Sequence, residues 1–445
     1  MPYIANTSDD QQAMLRAIGV ASLEELFEVI PPALRFSRPL DIPPALGEME
    51  LTAHLGRLAA ANSPAGQKVC FLGGGSYDHF VPAVIDAIAS RGEFYTSYTP
   101  YQPEASQGNL QAFFEYQTLI TQLTGMDVSN ASLYDGGSAV AEAVMMATNA
   151  TGRTRVVTAA SVHPEYRQTL ATYFAHIGGE IITLATPEGV VSPAEIARAV
   201  NRHTACVVIQ QPNFFGCLED LRAVAQAAHD VGALVIASVD PISLGLLTRP
   251  GDCGADIVVA EGQSLGSPMS FGGPYLGIMA CRDEFVRRMP GRIAGETVDR
   301  RGRRCWVLTL QTREQHIRRE KATSNICTNQ GLFALRATIY LSVMGPQGMR
   351  EVAELCLHKS RYALERLTSG GRWKPAFDRP TFKEFVVRAS KGNVDELLAA
   401  ALAAGYLAGT PLGRWYPELA DCLLVTVTEK RTREEIEGLA AALSA

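Results

Sequence analysis

Hydrophobic positions in the middle of the chain alternate between short β-branched runs and longer stretches with helical spacing. After Arg153 each apolar run is followed by an amphipathic segment, a rhythm that predicts βαβ units in a mainly parallel sheet covered on both faces. The predicted strands are Arg155–Ala159, Glu180–Leu184, Ala205–Gln210, Leu234–Val239, Ile257–Val259 and Tyr275–Ala280. The helices predicted between them are Pro164–Ile177, Pro193–His203 and Asp220–Val231. The expected fold class is α/β.

Helical patterns dominate the two ends of the chain. Ser22 stands three residues before Glu25, the spacing of a capping box, and a second helix is predicted at Glu48–Ala61. The predicted domains are an N-terminal helical arm (residues 1–62), a large domain (63–328) and a small C-terminal α+β domain (329–445). The arm either clasps a partner or another domain, or packs on its own core.

Composition places the chain among globular proteins. Of its 445 residues 47% are hydrophobic, and the net charge of -6 argues against a nucleic acid or an anionic membrane as partner. No apolar run reaches the ~20 residues that span a bilayer. Acids stand where a signal peptide has basic residues, so we expect a cytoplasmic protein. The nine cysteines lack metal-ligand spacing, and we expect Cys253 and Cys327 to be packed, reduced thiols.

The ends of two predicted strands carry the candidate chemistry. Asp240 ends one strand, and Gln263 follows the next, at the edge where such sheets bind ligands. Enzymes that use pyridoxal phosphate on this type of sheet pair an Asp with the pyridine nitrogen and hold the cofactor through a Lys some twenty-odd residues later. Here Gln263 stands at that position, and no Lys occurs between Lys68 and Lys321. The pattern indicates a cofactor frame without its nucleophile.

Two further features fit this frame. Gly136-Gly137-Ser138 begins a predicted helix, where free backbone N–H groups suit a phosphate, although the same residues also make an ordinary helix start. His163 follows a predicted strand and could stack on a cofactor ring or serve as a hydrogen-bonded structural residue. Gly73-Gly74-Gly75 follows the short predicted strand Lys68–Leu72, but the GxGxxG pattern of a dinucleotide site is missing from the sequence.

The segment FYTSYTPYQPEASQG, residues 94–108, fits neither a regular helix nor a strand until about Gln107. Its prolines fix φ and so hold the side chains around them in set directions; these are Tyr98, Tyr101, Gln102 and Glu104. Rigid loops of this kind serve sites or interfaces, and the alternative is a structural Ω-loop. A charged block at residues 313–321 contains Arg318 and Arg319, which would bind an anion or form interface salt bridges.

Three motifs resemble one family. YTPYQPEASQG (98–108), YDGGSAVAEA (134–143) and REQHIRREKATSNICT (313–328) together resemble the P-protein family of the glycine cleavage system, the glycine decarboxylases. The resemblance covers nearly the whole chain and is to the family's N-terminal, or α, subunits. It implies a large domain of the pyridoxal-phosphate transferase type (fold type I), with Gln263 at the position of the cofactor lysine in the family's β subunits.

The resemblance also implies a division of labour. The family's α and β subunits form an α2β2 heterotetramer; β carries pyridoxal phosphate, glycine is decarboxylated, and the aminomethyl group passes to the lipoyl arm of H-protein. Because Gln263 cannot bond to the cofactor aldehyde, we expect this chain to support the partner's site from the interface. The expected roles are a catalytic contribution from Tyr98, Tyr101, Gln102 and Glu104, a vestigial cofactor frame of Gly136, Gly137, Ser138, His163, Asp240 and Gln263, and anion contacts from Arg318 and Arg319.

Two other functions stay open on the sequence. The chain could be a structural scaffold that stabilises β without touching the chemistry. It could also be an autonomous pyridoxal-phosphate enzyme, related to aminotransferases or desulfurases, that uses Lys321. Kinetics of loop variants test the first alternative, and borohydride trapping of the cofactor on the isolated chain tests the second.

Overall fold

The structure, a computed structural model, describes residues 5–36, 38–327 and 329–444. The helices are α1 Ser8–Ile18, α2 Glu48–Ala60, α3 Ala83–Ala89, α4 Gly92–Tyr95, α5 Gln107–Thr124, α6 Gly136–Thr151, α7 Pro164–Phe174, α8 Pro193–Ala199, α9 Leu221–His229, α10 Gln315–Arg318, α11 Gly331–Thr368, α12 Val394–Ala403 and α13 Arg433–Ala442. The strands are β1 Val69–Cys70, β2 Val128–Ser129, β3 Arg155–Ala159, β4 Glu180–Leu184, β5 Thr204–Gln211, β6 Leu234–Val239, β7 Ile257–Glu261, β8 Gly277–Cys281, β9 Ile293–Val298, β10 Arg304–Thr309, β11 Trp373–Pro375, β12 Glu384–Ala389, β13 Tyr406–Leu407, β14 Thr410–Pro411 and β15 Cys422–Thr426.

The central sheet has seven strands in the order β2-β8-β7-β6-β5-β3-β4. The five strands from β7 to β4 run parallel, while β8 and β2 pair antiparallel at the other edge. Helix α6 packs against this sheet and is buried along most of its length, because its Ala, Gly and Val residues allow close approach. The predicted α/β class is confirmed, with one reversed strand, β8, and the short strand β2 beyond it added to the mainly parallel sheet.

A second, smaller sheet lies in the C-terminal part, in the order β11-β12-β15-β14. It has its own apolar cluster, which includes Trp373, Phe385 and Leu439. The short strand β1 pairs in parallel with β13, so the segment that leads into the central sheet is joined to the C-terminal part. This pairing places the glycine-rich residues after β1 beside β12 and β15.

Most predicted strands and helices lie within a few residues of the observed ones, and two segments differ. The capping-box pattern at Ser22 predicts a helix, but the chain forms only a short 3-10 turn at Glu24–Phe27, because Pro31 and Pro32 leave too few residues for a stable helix. The hairpin β9–β10 was not predicted, because its turn is rich in Arg and conceals the alternating pattern. Two glutamines of α5 bind this hairpin, Gln107 to Trp306 and Gln117 to Ala294.

Contacts between residues divide the chain into two compact units, Met1–Ser63 and Pro64–Ala445. The first unit carries α1 and α2, and many of its large apolar side chains, such as Phe27, Leu34 and Met49, are exposed. The predicted boundary near residues 328–329 stays a prediction. Among the described residues, no helix combines the length and apolar character needed to cross a bilayer.

Candidate functional site

The structure brings the predicted cofactor frame to one edge of the central sheet. Asp240 follows β6, Gln263 follows β7, His163 precedes α7, and Gly136-Gly137-Ser138 begins α6. His163 borders both an inner cavity of about 20 Å3, with Asp240, and an outer cleft of about 440 Å3, with Gly136 and Gly137. We call this group of six residues the cradle.

Asp240 is paired with a lysine that sequence reasoning missed. Lys383 Nζ lies 2.9 Å from Asp240 Oδ2, and the Lys383 side chain is 1% exposed. The ammonium also lies 3.4 Å from the centroid of the Tyr77 ring and 2.9 Å from His79 Nε2. Lys383 immediately precedes β12, so the small sheet delivers a cation to the end of β6. The acid that would pair with a pyridine nitrogen therefore already has a partner.

His79 continues this chain of contacts. Its Nδ1 lies 2.6 Å from Glu429 Oε2, so Nδ1–H donates to the carboxylate while Nε2 accepts from the Lys383 ammonium. Burial, and then the charge of Lys383, lower the pKa of His79, which keeps the ring neutral. Asp240, Lys383, His79 and Glu429 thus form one continuous buried network.

The same place contains three groups that resemble a metal site. Ligand atoms of His79, Cys356 and Glu429 all lie within 4.8 Å of one another. However, His79 Nδ1 holds the proton that it donates to Glu429, and the Nε2 lone pair accepts from Lys383. Neither nitrogen has a free lone pair, and the nearby ammonium repels a metal ion. The trio is better suited to fixing the Lys383–Asp240 pair than to holding a metal.

The Gln263 side chain is buried and fixed by three hydrogen bonds. Its Oε1 accepts from the Tyr77 backbone N–H at 2.8 Å, and its Nε2 donates to the carbonyls of Tyr77 and Ser267 at 3.1 and 2.7 Å. The residue is 1% exposed. All the hydrogen-bonding capacity of the amide nitrogen is used, so Gln263 joins the loop after β1 to the loop after β7.

The glycines after β1 allow that loop to enter the site. Gly74 and Gly75 have φ of 77° and 108°, a region that favours glycine. The Gly74 N–H donates to Glu384 Oε1 at 2.8 Å, and its carbonyl lies 2.6 Å from His163 Nε2. The three glycines therefore place Tyr77 and His79 in the cradle instead of forming a dinucleotide loop.

His163 stacks, but on a tyrosine of its own chain. Its ring is 4.3 Å from that of Tyr166, with 14° between the planes. The Nδ1 atom accepts from the Glu165 N–H at 3.1 Å, which leaves the proton on Nε2, facing Gly74. Burial lowers the pKa of His163 to about 4, so the imidazole is neutral. Both predicted roles of His163, stacking and structural hydrogen bonding, have partners within the chain.

The start of α6 is capped by acidic side chains. Glu261 Oε2 accepts from the Gly136 N–H at 2.9 Å, and Asp135 Oδ1 accepts from the Ser138 N–H at 2.7 Å. Glu261 Oε1 also accepts from the backbone N–H groups of Gln263 and Leu276. These carboxylates use the N–H groups that a phosphate would need.

Residues 98–104, which precede α5 and which we call the aromatic loop, are largely exposed to solvent. Tyr98 is 79% exposed and Tyr101 51% exposed, and Gln102 and Glu104 are exposed as well. Tyr98 borders a cavity of about 180 Å3, whose lining includes Gln330; that residue also lines the outer cleft of the cradle. The loop and the cradle are therefore neighbours across Gln330.

A buried arginine links the aromatic loop to the charged block. Arg292 is 1% exposed, and its Nη2 donates to the Tyr101 hydroxyl at 2.6 Å. Arg292 Nη1 donates to the Cys327 carbonyl, and Arg292 Nε lies 3.7 Å from Glu314 Oε2. The His316 ring meets the Tyr101 ring edge-on at 6.3 Å. The aromatic loop and the charged block, which were predicted as separate features, therefore meet around Arg292 and Tyr101.

Arg318 and Arg319 lie at the end of α10 and are exposed. Neither forms an ion pair within the described part of the chain. Arg319 has φ 55° and ψ -130°, which strains a residue with a side chain.

Cys253 is half-buried, whereas Cys327 is exposed, so the expectation that Cys327 is packed was wrong. Thr328 lies outside the described residues.

Comparison with known proteins identifies relatives over the full length. The family model "Glycine cleavage system P-protein" matches residues 1–443. A protein of Desulforamulus reducens named probable glycine dehydrogenase (decarboxylating) subunit 1 is 53% identical over 445 residues, with 100% of both chains covered. A second relative with that name, from Geotalea daltonii, is 52% identical over 445 residues, again with 100% of both chains covered.

Solved structures give the same answer for the fold. The crystal structure of a glycine decarboxylase (P-protein) of the glycine cleavage system, in inhibitor-bound form, superposes with a TM-score of 0.90 at 45% identity and covers 100% of this chain and 99% of that chain. An aspartate aminotransferase from Thermus thermophilus has a TM-score of 0.58 at 17% identity, covering 84% of this chain and 97% of that chain. The second likeness concerns the fold alone.

Proposed function

This chain belongs to the glycine cleavage system P-protein family, and from that premise we propose that it is the first, or α, subunit of a glycine dehydrogenase (decarboxylating). Its relatives are named subunit 1, which implies a partner subunit. In this proposal the partner is a β subunit, the assembly is α2β2, and the enzyme decarboxylates glycine and passes the aminomethyl group to lipoylated H-protein. The α chain alone is inactive.

The observation that carries the division of labour is Gln263. Pyridoxal phosphate belongs to this family and fold; a lysine would hold it, and it would supply the electron sink for decarboxylation. An amide nitrogen is not a nucleophile, and that of Gln263 donates to two carbonyls. The cofactor is therefore assigned to the β subunit, and this chain acts on the reaction from the interface.

The aromatic loop is the proposed contribution to the partner's site. The exposure of Tyr98, Gln102 and Glu104 supports this role, because polar groups that act on another chain's substrate must protrude. The fixed hydroxyl of Tyr101 supports it too, since Arg292 holds the loop at its base. At about 3 Å from glycine, these groups would orient the substrate or move protons.

Reconstitution with the β subunit and lipoylated H-protein tests this proposal through glycine-dependent release of CO2. We expect activity only when both subunits are present. Tyr98→Ala and Glu104→Gln should lower kcat by about tenfold or more while assembly is unchanged. Tyr173→Ala, a partly exposed tyrosine on α7, is the matched control and should leave kcat unchanged.

Two outcomes would favour the other functions. If both loop variants keep kcat within about twofold of the unmodified complex, the chain is a scaffold that stabilises β. If the isolated chain gives a borohydride-stable adduct with pyridoxal phosphate at Lys321, it is an autonomous enzyme. Lys321 is exposed and lies outside the cradle, which argues against that result.

A further inference from the structure

We propose that the cradle of this chain is filled by three of its own side chains, Lys383, Tyr166 and Glu261, which stand where the ring nitrogen, the ring and the phosphate of pyridoxal phosphate would lie. The residues present therefore do not fit the cofactor. This goes beyond the loss of the covalent lysine, because it predicts that non-covalent binding is lost as well. The inference rests on the proposed function only in assigning the cofactor to the partner.

The first position is that of the ring nitrogen. A pyridinium N–H would donate to Asp240, and the Lys383 ammonium now does so at 2.9 Å. The Tyr77 ring covers the same ammonium, and His79 accepts a further hydrogen bond from it. A buried charge with this many partners is costly to displace. The remaining space beside Asp240 is about 20 Å3, room for about one water molecule.

The second position is that of the ring. A histidine face parallel to the cofactor ring is a natural stacking platform, and Tyr166 lies on that face at 4.3 Å and 14°. Tyr166 also presses on the start of α6, where a Cβ on Gly136 would meet its hydroxyl at 2.5 Å. Tyr166 lines both the inner cavity and the outer cleft, and its ring occupies the His163 face on which a cofactor ring would stack.

The third position is that of the phosphate. The Gly136 N–H is bound by Glu261 and the Ser138 N–H by Asp135. The outer cleft is lined by Asp135, Glu165 and Glu261, and none of its described lining residues is a Lys or an Arg. A phosphate there would lose these two backbone donors and would face the side chains of Asp135 and Glu165 without a compensating cation. Burial raises the pKa of Glu261 to about 8, so this residue takes up the Gly136 N–H without adding a charge at neutral pH.

The three positions agree in hydrogen-bonding or stacking type: a cation faces Asp240, an aromatic ring faces His163, and the carboxyl oxygens of Glu261 face the helix start. This agreement explains how the frame persists without its ligand, since a buried polar group that loses its partner costs free energy until a neighbour replaces it. Reversing these replacements should therefore restore space for the cofactor.

The experiment uses the full chain and pyridoxamine phosphate, which keeps the ring and phosphate but has no aldehyde to react with surface lysines. We expect the unmodified chain to show no saturable binding by calorimetry up to about 1 mM ligand. The variant Tyr166→Ala/Lys383→Ala should bind at least about tenfold more tightly, and its thermal midpoint should rise when the ligand is added. Tyr166→Ala alone keeps the Lys383–Asp240 pair, so its folding is safer, and it should bind more weakly than the double variant.

The matched control is Tyr362→Ala/Lys374→Ala, which removes a half-buried tyrosine from α11 and an exposed lysine from β11, both outside the cradle, and should bind no better than the unmodified chain. Saturable binding to the unmodified chain would overturn the proposal, because the cradle would be open. The proposal also fails if folded Tyr166→Ala binds no more tightly than the unmodified chain. Neither result bears on whether the complex releases CO2 from glycine, so the proposed function stands or falls separately.

Discussion

The cradle and the aromatic loop both carry polar side chains, which are buried around the cradle and exposed to solvent on the loop. In the cradle, Lys383 and Gln263 are each 1% exposed and their polar atoms bind neighbours in the same chain. In the loop, Tyr98 is 79% exposed and Glu104 is exposed without an ion pair in the described residues. The polar groups of the first region are buried together with their partners, since burying them unpaired is costly. Groups left exposed on a rigid loop are available to a partner.

The largest effect is expected from removing the buried Lys383–Asp240 ion pair. Lys383→Ala leaves the Asp240 carboxylate buried without its partner, and we expect the free energy of unfolding to fall by about 3–5 kcal/mol. Asp240→Asn/Lys383→Met removes both charges and should cost less than the single change. Chemical denaturation of the full chain measures both effects. Lys374→Ala, on an exposed lysine nearby in sequence, is the control, and an equal loss in that variant would show that Lys383 is not special.

A pH dependence is expected on the buried side of this comparison, at Glu142 of α6, the helix that begins in the cradle. The Glu142 carboxyl group is hydrogen-bonded to Ser324. Burial raises the pKa of Glu142 to about 7, above that of the unfolded chain. Its stabilising contribution is therefore complete below the unfolded pKa and is lost as pH rises through about 7. We expect Glu142→Gln to gain stability relative to the unmodified chain by about 1.4 kcal/mol per pH unit between pH 5 and 7.

The measurement is the free energy of unfolding of both proteins from pH 5 to pH 8. The exposed Glu188 provides a control, since Glu188→Gln should run parallel to the unmodified chain across the range. Parallel curves for Glu142→Gln and the unmodified chain would mean that burial does not raise the pKa of Glu142 in the folded chain.

The sequence predicted the sheet well and the state of the cradle poorly. Buried strands such as β3 and β6 have a local apolar pattern, and Asp240 and Gln263 follow from their ends. Lys383 was missed because it is distant in sequence, on the strand edge that pairing between β12 and β15 brings to the site. Its only sequence signal is its place in a run of strand-forming residues that includes Phe382, Phe385 and Val386. The contact between Tyr101 and Arg292 likewise depends on the unpredicted hairpin β9–β10.

A milder change should loosen the base of the aromatic loop. Tyr101→Phe removes the hydroxyl that accepts from the buried Arg292 at 2.6 Å, and a hydrogen bond to a charged group contributes about 1.5–3 kcal/mol. We expect a loss of stability near the lower end of that range, because Tyr101 is half exposed, together with faster proteolysis at residues 98–104. Tyr98→Phe is the control, since its exposed hydroxyl should contribute little. Equal proteolysis of both variants would contradict an anchoring role for Tyr101.

The smallest effects are expected at Arg318 and Arg319, where the two interpretations predict different kinetic constants. Exposed guanidinium groups in interface salt bridges contribute about 1 kcal/mol or less, so Arg318→Gln and Arg319→Gln should weaken subunit association by less than about fivefold, and salt should abolish the difference. Contact with the carboxylate of glycine would instead raise KM by tenfold or more through loss of a charge-assisted hydrogen bond. Arg319→Gly distinguishes the effect of the guanidinium group from that of backbone strain. Glycine removes the side chain and also accepts the positive φ that strains Arg319. We expect it to weaken association like Arg319→Gln but to be the more stable of the two, which would place the function of this turn in the guanidinium and not in the strained backbone.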